Sequence, residues 1–444
     1  MSLRASVSAR FEDVRHARRS VRRLSLLLAG ASALFWAPPV DASPAVILSQ
    51  VSNDLDGLNA GEAWVVADPR DPQTVVVIWL VTNTDIPPSP VGTGYCGIGR
   101  STDGGQTWSS IIKAPYQSNT VPNTVPICGD PAGGVMPDGS IVFTAVQLGS
   151  PNEFVQSITS VNGGQTWSAP SAVFGASATL AAALANQTVP DLGPGRQFLA
   201  VDPITGEVSV QSQVDAPTTG RQLTVSSDRG ASWSTPRNVG STSLGPIGAA
   251  YGVVAGVYSS GADRIFQTST DHGMTWVRNA MPVGPGAGSG FGGPITAADP
   301  TTRGRFAVLL PRGSNLEVWI TTDAGRTAAN WTQAKVFTPA SGDSFAHPWI
   351  AFSPTGALGV RWRSRHANGS FDVDAIVSRD GGTTFDAPVR LTVLGPSPDS
   401  GPALPGDDCA CNLHLTETTL LTTWGDTRTG NRELWFGSFD YTTP

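Results

Sequence analysis

Short apolar or alternating runs follow one another from Glu62 to the C-terminus, and Gly, Pro, Asp and Asn separate them. The first unit contains four such runs, Ala63–Ala67, Thr74–Val81, Gly94–Arg100 and Trp108–Lys113. Runs of this length between turn-forming residues are typical of strands joined by tight turns. The same order returns along the chain, so the pattern predicts repeated groups of four antiparallel strands. Such groups, repeated radially, form a β-propeller.

A shorter repeat, which we call the box, marks the turn before the fourth strand of a unit. Its first copy is Ser101-Thr-Asp-Gly-Gly-Gln-Thr-Trp108, and its pattern is Ser/Thr-x-Asp/Asn-x-Gly-x-Thr/Ser followed by Trp or Phe. The Asp or Asn can accept hydrogen bonds from backbone N–H groups two residues on, and the Gly can adopt a left-handed conformation. We expect the aromatic residue to pack between sheets and the Asp or Asn to be structural rather than catalytic. The six Asp or Asn positions are Asp103, Asn162, Asp228, Asp271, Asp323 and Asp380.

The spacing of the boxes predicts seven blades. The boxes begin at residues 101, 160, 226, 269, 321 and 378. They are about 55 residues apart on average, and residues 43–444 hold about seven units of that size. Three runs without a box, at 412–415, 420–424 and 433–439, supply three strands of a seventh unit, and Ala45–Val51 can supply the fourth. Six blades is the alternative, if the C-terminal strands complete the first blade in another way.

The first 42 residues differ from the rest of the chain. Five arginines between Arg15 and Arg23 precede the apolar run Leu24–Ala37, and Val40 and Ala42 occupy the positions that a signal peptidase reads. The apolar run is too short to cross the ~30 Å of membrane hydrocarbon. We therefore predict an export signal at residues 1–42 and a single propeller domain at residues 43–444, closed by its two chain ends. The predicted location is the periplasm or the outside of the cell.

Charge and cysteine content narrow the classes of partner. The net charge is −7 and no basic block occurs outside the N-terminus, which argues against nucleic acid. We expect a monomer that does not span a membrane. The four cysteines are Cys96, Cys128, Cys409 and Cys411, and their spacing matches no zinc site. A disulfide involving Cys96 or Cys128 is one interpretation and free thiols are the other, and the connectivity cannot be read from the sequence.

The six boxes resemble the Asp-box, or BNR, repeats of the sialidase superfamily, over nearly the whole chain after residue 42. The resemblance implies a propeller and a glycosidase activity. Sialidases of this type carry an early Phe/Tyr-Arg-Ile/Val-Pro motif whose arginine binds the substrate carboxylate. Here the first inner strand reads Gly61-Glu-Ala-Trp-Val-Val-Ala-Asp68 and contains no arginine. None of the five tyrosines lies in a context that matches the family's nucleophile, so no sialidase catalytic residue is carried over.

Topology indicates where a ligand would bind. In a four-stranded meander the turn between strands three and four lies on one face, and the connections from strand two to three and from blade to blade lie on the other. Propellers usually bind ligands on this second face, around the central channel, so the boxes and any active site should lie on opposite faces. Polar residues at the start of the inner strands are the candidates. The candidate acid/base carboxylates are Glu62, Asp130, Asp407 and Asp408, and two candidate ligand-binding residues are Arg196 and His347.

A group of arginines adds a candidate anion site. Arg361, Arg363 and Arg365 alternate in one strand and therefore point to one side of it. With Arg428 in the comparable connection of the last blade, Arg361 and Arg363 can bind a carboxylate, sulfate or phosphate bidentately. The alternative is an exposed strand whose arginines pair with carboxylates between blades. Those carboxylates are Asp372, Asp374 and Asp426.

A loop before the first inner strand resembles a calcium loop in composition. Asp54, Asp56 and Asn59 place oxygen-bearing side chains at short intervals around a glycine. The spacing departs from that of an EF-hand, and a solvated turn is the alternative. We expect no other cofactor.

Two functions remain open. The first is an exported sialidase-like glycoside hydrolase that acts on glycans, with carboxylates as acid and base and Arg361 or Arg363 holding an anionic sugar. The second is a non-catalytic propeller that binds carbohydrate or protein at the cell surface or envelope, which the missing arginine motif favours. A purely structural or assembly role is a third alternative. In the first two cases the partner is a glycan or another extracellular ligand.

Overall fold

The chain forms seven four-stranded antiparallel sheets in the computed structural model. The structure describes residues 44–52, 59–82, 94–116, 127–148, 154–174, 197–214, 220–240, 245–283, 293–398, 412–430 and 432–443. Within these ranges no helix is long and apolar enough to cross a membrane. The one helical element among them is a 3₁₀ turn, Ala328–Asn330.

Each blade consists of four strands in the order of the chain, numbered from the inner strand outwards. Blade 1 contains β2 (Asn59–Asp68), β3 (Asp71–Thr82), β4 (Gly94–Ser101) and β5 (Ile112–Lys113). Blade 2 contains β6 (Ile127–Val135), β7 (Ile141–Leu148), β8 (Phe154–Ser160) and β9 (Ser171–Ala172). Blade 3 contains β10 (Phe198–Val201), β11 (Val208–Val214), β12 (Gly220–Ser226) and β13 (Arg237–Asn238). Blade 4 contains β14 (Gly248–Ala250), β15 (Val253–Ser260), β16 (Asp263–Ser269) and β17 (Val277–Ala280).

The remaining three blades follow the same plan. Blade 5 contains β18 (Ile295–Ala298), β19 (Phe306–Arg312), β20 (Asn315–Thr321) and β21 (Trp331–Phe337). Blade 6 contains β22 (Ser344–Phe352), β23 (Leu358–Arg365), β24 (Phe371–Ser378) and β25 (Val389–Arg390). Blade 7 contains β26 (Leu413–Leu415), β27 (Thr419–Asp426), β28 (Glu433–Asp440) and, as its outer strand, β1 (Val46–Gln50).

The last blade is completed by the start of the described chain. Strand β1 pairs antiparallel with β28, and Val46 lies opposite Phe439. Neighbouring inner strands contact one another around the ring, including β26 of blade 7 and β2 of blade 1. The prediction of a seven-bladed propeller is therefore confirmed, and the six-bladed alternative is wrong.

The hydrophobic core lies in the layers between neighbouring blades. Trp79 of blade 1 is fully buried in a cluster that includes Phe436 of blade 7, and Trp424 is fully buried in the next layer, between blades 6 and 7. Burying a large aromatic side chain removes 150–250 Å² from water, roughly, and supplies much of the stabilisation of such a layer. Apolar residues occur on both faces of the inner strands because each sheet is covered on both sides.

The aromatic residues of the boxes tie each blade to the preceding one. Trp108 meets Phe436 of blade 7 edge on, with ring centroids 5.3 Å apart, and its Nε1 donates to Ser49 Oγ at 2.9 Å. Likewise Trp331 of blade 5 contacts Phe266 of blade 4 at 5.1 Å. The box therefore fixes its own turn and the spacing of the blades.

Hydrogen bonds inside the box differ in one respect from the expected turn. The Asp103 carboxylate accepts from the backbone N–H of Thr107, four residues on, at 2.9 Å, and from Thr107 Oγ1 at 2.6 Å. The group that accepts from the N–H two residues on is Ser101 Oγ, which also accepts from Gly105 N at 2.9 Å. The Asp thus spans a wider turn than an Asx turn, because the serine already satisfies the nearer donors. Gly105 has φ of 89°, the left-handed conformation expected of it.

The same bonds recur in the other boxes. The Oδ1 atoms of Asn162, Asp228 and Asp271 accept from the N–H four residues on at 3.0, 2.8 and 2.8 Å. In the last two boxes, Asp323 Oδ2 and Asp380 Oδ1 do so at 3.1 and 2.8 Å. All six side chains are thus engaged in their own turns, on the face of the ring that the turns after strands one and three form. We call this the box face.

A disulfide links the first two blades. Cys96 on β4 is bonded to Cys128 on β6, with the two Cα atoms 5.4 Å apart. Both cysteines are buried. Of the alternatives left open by the sequence, the structure thus contains the disulfide. Cys409 and Cys411 lie outside the described residues.

Candidate functional site

Three inner strands carry a β-bulge at the same place, where they enter the ring on the face opposite the boxes. The register breaks between Gly61 and Trp64, between Gly129 and Ala132, and between Ala346 and Trp349. The inserted stretches contain Glu62, Asp130 and His347, with φ of 53°, 47° and 46°. A bulge of this kind redirects a side chain at the rim of a sheet. Three of the sequence candidates therefore share one unusual backbone position around one mouth of the channel.

The positive φ values at these positions set them apart from ordinary turns. The described residues include seven non-glycine residues with positive φ, of which three lie in boxes and one in the tight turn of blade 4. The other three are Glu62, Asp130 and His347. A side chain in the left-handed region costs about 1–2 kcal/mol. The fold around each bulge must supply that energy, and strain of this kind clusters at functional sites.

Side chains join these bulges across neighbouring blades. Glu62 Oε2 accepts from the backbone N–H of Asp130 at 2.6 Å, linking blades 1 and 2. Gln197, fully buried before the inner strand of blade 3, donates from Nε2 to the carbonyl oxygen of Asp130. The Glu62 side chain is 7% exposed, whereas Asp130 is half-buried. Asp130 is thus held by its backbone from both sides, with its carboxyl group partly open to solvent.

Two residues of this mouth escaped the sequence analysis. Gln197 stands next to Arg196, which was chosen for its charge and lies outside the described residues. Asn412 is buried at the start of the inner strand of blade 7. Its Oδ1 accepts from Val65 N at 2.7 Å, and its Nδ2 donates to Val65 O at 2.9 Å. Both residues carry a side-chain amide at the start of an inner strand. A search of these positions for all polar residues, rather than mainly for charged ones, would have found them.

The arginines of β23 lie inside the packed blade. Arg361 is fully buried, and its Nη1 donates to the carbonyl oxygen of His347 at 2.7 Å. Its Nη2 reaches Thr423 O of blade 7 at 3.4 Å. Arg363 is 3% exposed and its guanidinium lies 4.2 Å from the ring centroid of Phe371. The exposed-strand alternative is wrong for these two residues. The expectation that Arg361 or Arg363 holds a sugar directly is also not met, because neither presents a surface to a ligand.

Arg428 is likewise engaged within its own blade. Its Nε and Nη2 donate to Asp426 Oδ2 at 2.9 and 2.7 Å, and Nη2 also donates to Gly395 O at 3.2 Å. The guanidinium lies 5.3 Å from the ring of Trp435. Its assignment as a ligand-binding residue therefore gives way to a structural one, since the carboxylate of Asp426 is fully buried and needs this partner.

A charged cluster lies beside the arginine strand, on the loops at the entrance to blade 6. The His366 ring contacts Asp343 Oδ2 through Nδ1 and Asp372 Oδ2 through Nε2, both at 3.0 Å. Arg390 bonds Asp372 at 2.8 Å and Asp374 at 3.1 Å. Burial alone would lower the pKa of His366, but its hydrogen bonds to the two carboxylates and their negative charges outweigh this effect and raise the pKa. The histidine therefore ties two loops together most strongly when it is protonated.

The remaining candidates are placed as follows. Asp407, Asp408, Asp54 and Asp56 lie outside the described residues. Asn59 begins β2, and its Oδ1 accepts from the backbone N–H of Arg432 at 3.0 Å. In the part of the chain that the structure describes, no group of three His, Cys, Asp or Glu side chains is arranged to hold a metal ion.

The chain is similar to several solved structures. No protein-family model and no curated protein matches it. A Hadza microbial sialidase is 16% identical, with 82% of this chain and 76% of that chain covered and a TM-score of 0.46. The Ruminococcus gnavus intramolecular trans-sialidase is 14% identical, with coverages of 71% and 92% and a TM-score of 0.47. A protein of unknown function from Dyadobacter fermentans is 13% identical, with coverages of 89% and 99% and a TM-score of 0.44.

These similar structures include sialidases. No activity follows from similarity at this level, because one propeller architecture serves many functions.

Proposed function

We propose that the protein is a sialidase-like glycoside hydrolase that acts on glycans at the mouth of the channel opposite the boxes. The observation that carries the proposal is the set of three strained bulges at Glu62, Asp130 and His347. Backbone strain that recurs at one place on three blades, at two acidic residues and a histidine, supports a chemical role.

The two carboxylates differ in ways that suit one proton-exchanging group and one electrostatic stabiliser. Most glycosidases use two carboxyl groups on either side of the scissile bond. Asp130 is half-buried and open to the mouth, so it is the group that can exchange a proton with substrate. Glu62 is buried and its carboxylate is held by the N–H of Asp130 at 2.6 Å. In this proposal Glu62 fixes Asp130 and stabilises positive charge that develops on the sugar.

The arginines act indirectly in this scheme. Arg361 donates to the carbonyl oxygen of His347 from within the blade and holds the third bulge in place. His347 lies on this third bulge, at the same mouth as Asp130. A glycan bound there meets carboxylate and imidazole groups, while the buried guanidinium groups contribute positive charge behind them.

A panel of fluorogenic substrates tests the proposal. Purified protein is assayed with sialosides, uronides and neutral glycosides, and turnover is expected on at least one of them. Asp130→Asn should then lower kcat about 100-fold or more, the usual contribution of acid/base catalysis. Glu62→Gln keeps an acceptor for the Asp130 N–H and should lower kcat while the fold stays intact. Asp138→Asn is the matched control, because Asp138 lies in a turn on the box face and should leave kcat unchanged.

Two observations favour the non-catalytic alternative. The Glu62 carboxylate already accepts a hydrogen bond from the backbone, and the first inner strand lacks the arginine motif. If the folded protein turns over no substrate of the panel, the hydrolase proposal is wrong. Saturable glycan binding that Asp130→Asn abolishes, without hydrolysis, would then support a carbohydrate-binding propeller.

A further inference from the structure

On the opposite side of the ring, a cavity opens on the box face. It has a volume of about 720 Å³ and is bounded by the inner strands and by the turns that follow them. We call it the box-face cavity. The sequence led us to expect ligand binding on the face opposite the boxes, whereas this cavity opens on the box face. Its size lies within the range of small-molecule sites, which is about 300–1,000 Å³.

The walls of the box-face cavity are apolar. Residues from the inner strands and turns of all seven blades line it, among them Met136, Ile204, Ile247, Ile295, Phe352 and Leu415. Trp64 and Trp349 also line it, and they meet edge on with ring centroids 5.1 Å apart. Each Trp ends one of the bulges at the opposite mouth. The two indoles therefore separate this cavity from the site of the proposed hydrolysis.

Charged groups are nearly absent from these walls. Among the described residues that line the cavity, Glu417 is the one carboxylate, and it is exposed at the rim. No lysine or arginine is present among them. A charged ligand would lose its hydration here without gaining a partner, which costs several kcal/mol or more. The walls therefore select against ions.

Several polar side chains interrupt the apolar lining, and two of them, His414 and Thr296, can bond a ligand. Within the part of the chain that the structure describes, no group hydrogen-bonds to the half-buried His414 ring. Burial lowers the pKa of His414 to about 4, so the ring is neutral near pH 7 and can donate one hydrogen bond and accept another. Thr296 is buried, and its Oγ1 likewise has no hydrogen-bond partner among the described residues. The buried Thr296 hydroxyl lacks a partner among the described residues and the His414 ring is open to the cavity, so both can bond a ligand that carries a polar group.

We propose that the box-face cavity binds an uncharged, mainly apolar small molecule that carries one hydrogen-bonding group, with His414 as its polar contact. An alkyl or aromatic alcohol has this chemistry. The apolar body fills the space between the Trp pair and the turn residues, and the hydroxyl group bonds the imidazole.

A fluorescent probe tests the site without any assay of activity. N-phenyl-1-naphthylamine is uncharged and apolar, and its emission rises when it leaves water. Titration into the purified protein should give a saturable increase. Decanol should displace the probe at a concentration at least 10-fold lower than decanoate, which has the same chain with a charged end. No saturable signal, equal displacement by the two competitors, or displacement by neither would overturn the proposal.

Variants locate the binding. Ala298→Trp and Ala351→Trp place bulk at two half-buried positions of the lining and should each abolish probe binding. Val161→Trp adds the same bulk to an exposed box turn and should bind like the unaltered protein. His414→Phe removes the polar group at similar size and should weaken decanol about 3- to 10-fold. Normal binding by both folded lining variants would contradict the assignment. If neither variant folds, the competition experiment with the unaltered protein tests the proposal, and displacement by decanol and decanoate at equal concentrations would contradict it.

Discussion

Removal of the Cys96–Cys128 disulfide should destabilise the propeller by an amount set by the loop that it closes. The two cysteines are 32 residues apart in sequence. In the chain-entropy treatment a loop of this length contributes about 3.7 kcal/mol at 25 °C. Both thiols are buried, so Cys96→Ala and Cys128→Ala together remove the cross-link with little loss of packing volume.

The same free energy translates into a modest change in melting temperature. The unfolding entropy of about 400 residues is about 0.8 kcal/mol/K, so 3.7 kcal/mol lowers Tm by about 4 °C. Urea unfolding followed by tryptophan fluorescence gives the free energy, and a thermal scan gives Tm. All measurements use a Cys409→Ala, Cys411→Ala background, so that reductant can act on this bond alone.

Reductant separates the cross-link from the side chains. In the background protein, dithiothreitol should lower the stability by the same ~3.7 kcal/mol, whereas the double-alanine protein should not respond. A loss below ~1 kcal/mol would refute the reasoning, because the loop between blades 1 and 2 would then be restrained in the unfolded chain by something other than the bond. A loss without reductant sensitivity would assign the effect to packing.

Two further predictions concern the boxes and the contact between the last and first blades. Hydrogen bonds from Thr107 and Thr275 lower the pKa of Asp103 and Asp271 from 3.8 to about 2. These carboxylates therefore stabilise the fold above about pH 4, and their contribution is lost as the pH falls through about 2. Replacing both by Asn, the residue that occurs naturally at position 162, should keep the turns and flatten the loss of Tm between pH 4 and 2, and an unchanged slope would contradict this. Separately, Asn412→Leu leaves the N–H and C=O of buried Val65 without partners and should cost about 2–6 kcal/mol in urea unfolding, against less than ~1 kcal/mol for the exposed control Asn368→Leu. A cost equal to that of the control would show that these groups find other partners.

The features predicted well from the sequence are those that depend on neighbouring residues. Tight turns need particular residues at fixed offsets, so the boxes and the apolar runs between turn residues reveal the strand count and the number of blades. The direction of the strands was enough to predict that Glu62, Asp130 and His347 lie on the face opposite the boxes. Even the fourth strand of blade 7 could be assigned. The C-terminal unit contained only three predicted strands, and the predicted strand near the N-terminus belonged to no other unit.

The features that were missed depend on contacts between distant blades. Whether an arginine in an alternating strand faces solvent or a neighbouring sheet is decided by that sheet, so the burial of Arg361 and Arg363 had no local signal. The bulges likewise arise from the register of two strands rather than from a motif. The box-face cavity is the extreme case, because its walls come from inner strands about one repeat apart, each contributing only a few side chains.

The pairing of β1 with β28 also has a consequence for biogenesis. Ser52, just after β1, accepts a hydrogen bond from the N–H of Leu434, which is 382 residues away. At a translation rate of about 5–20 residues per second, roughly 20–80 s separate the synthesis of these two partners. During that interval the growing chain carries an unpaired strand at one end and an incomplete row of blades at the other. The synthesis of β28 therefore decides when the ring can close and β1 gains its partner.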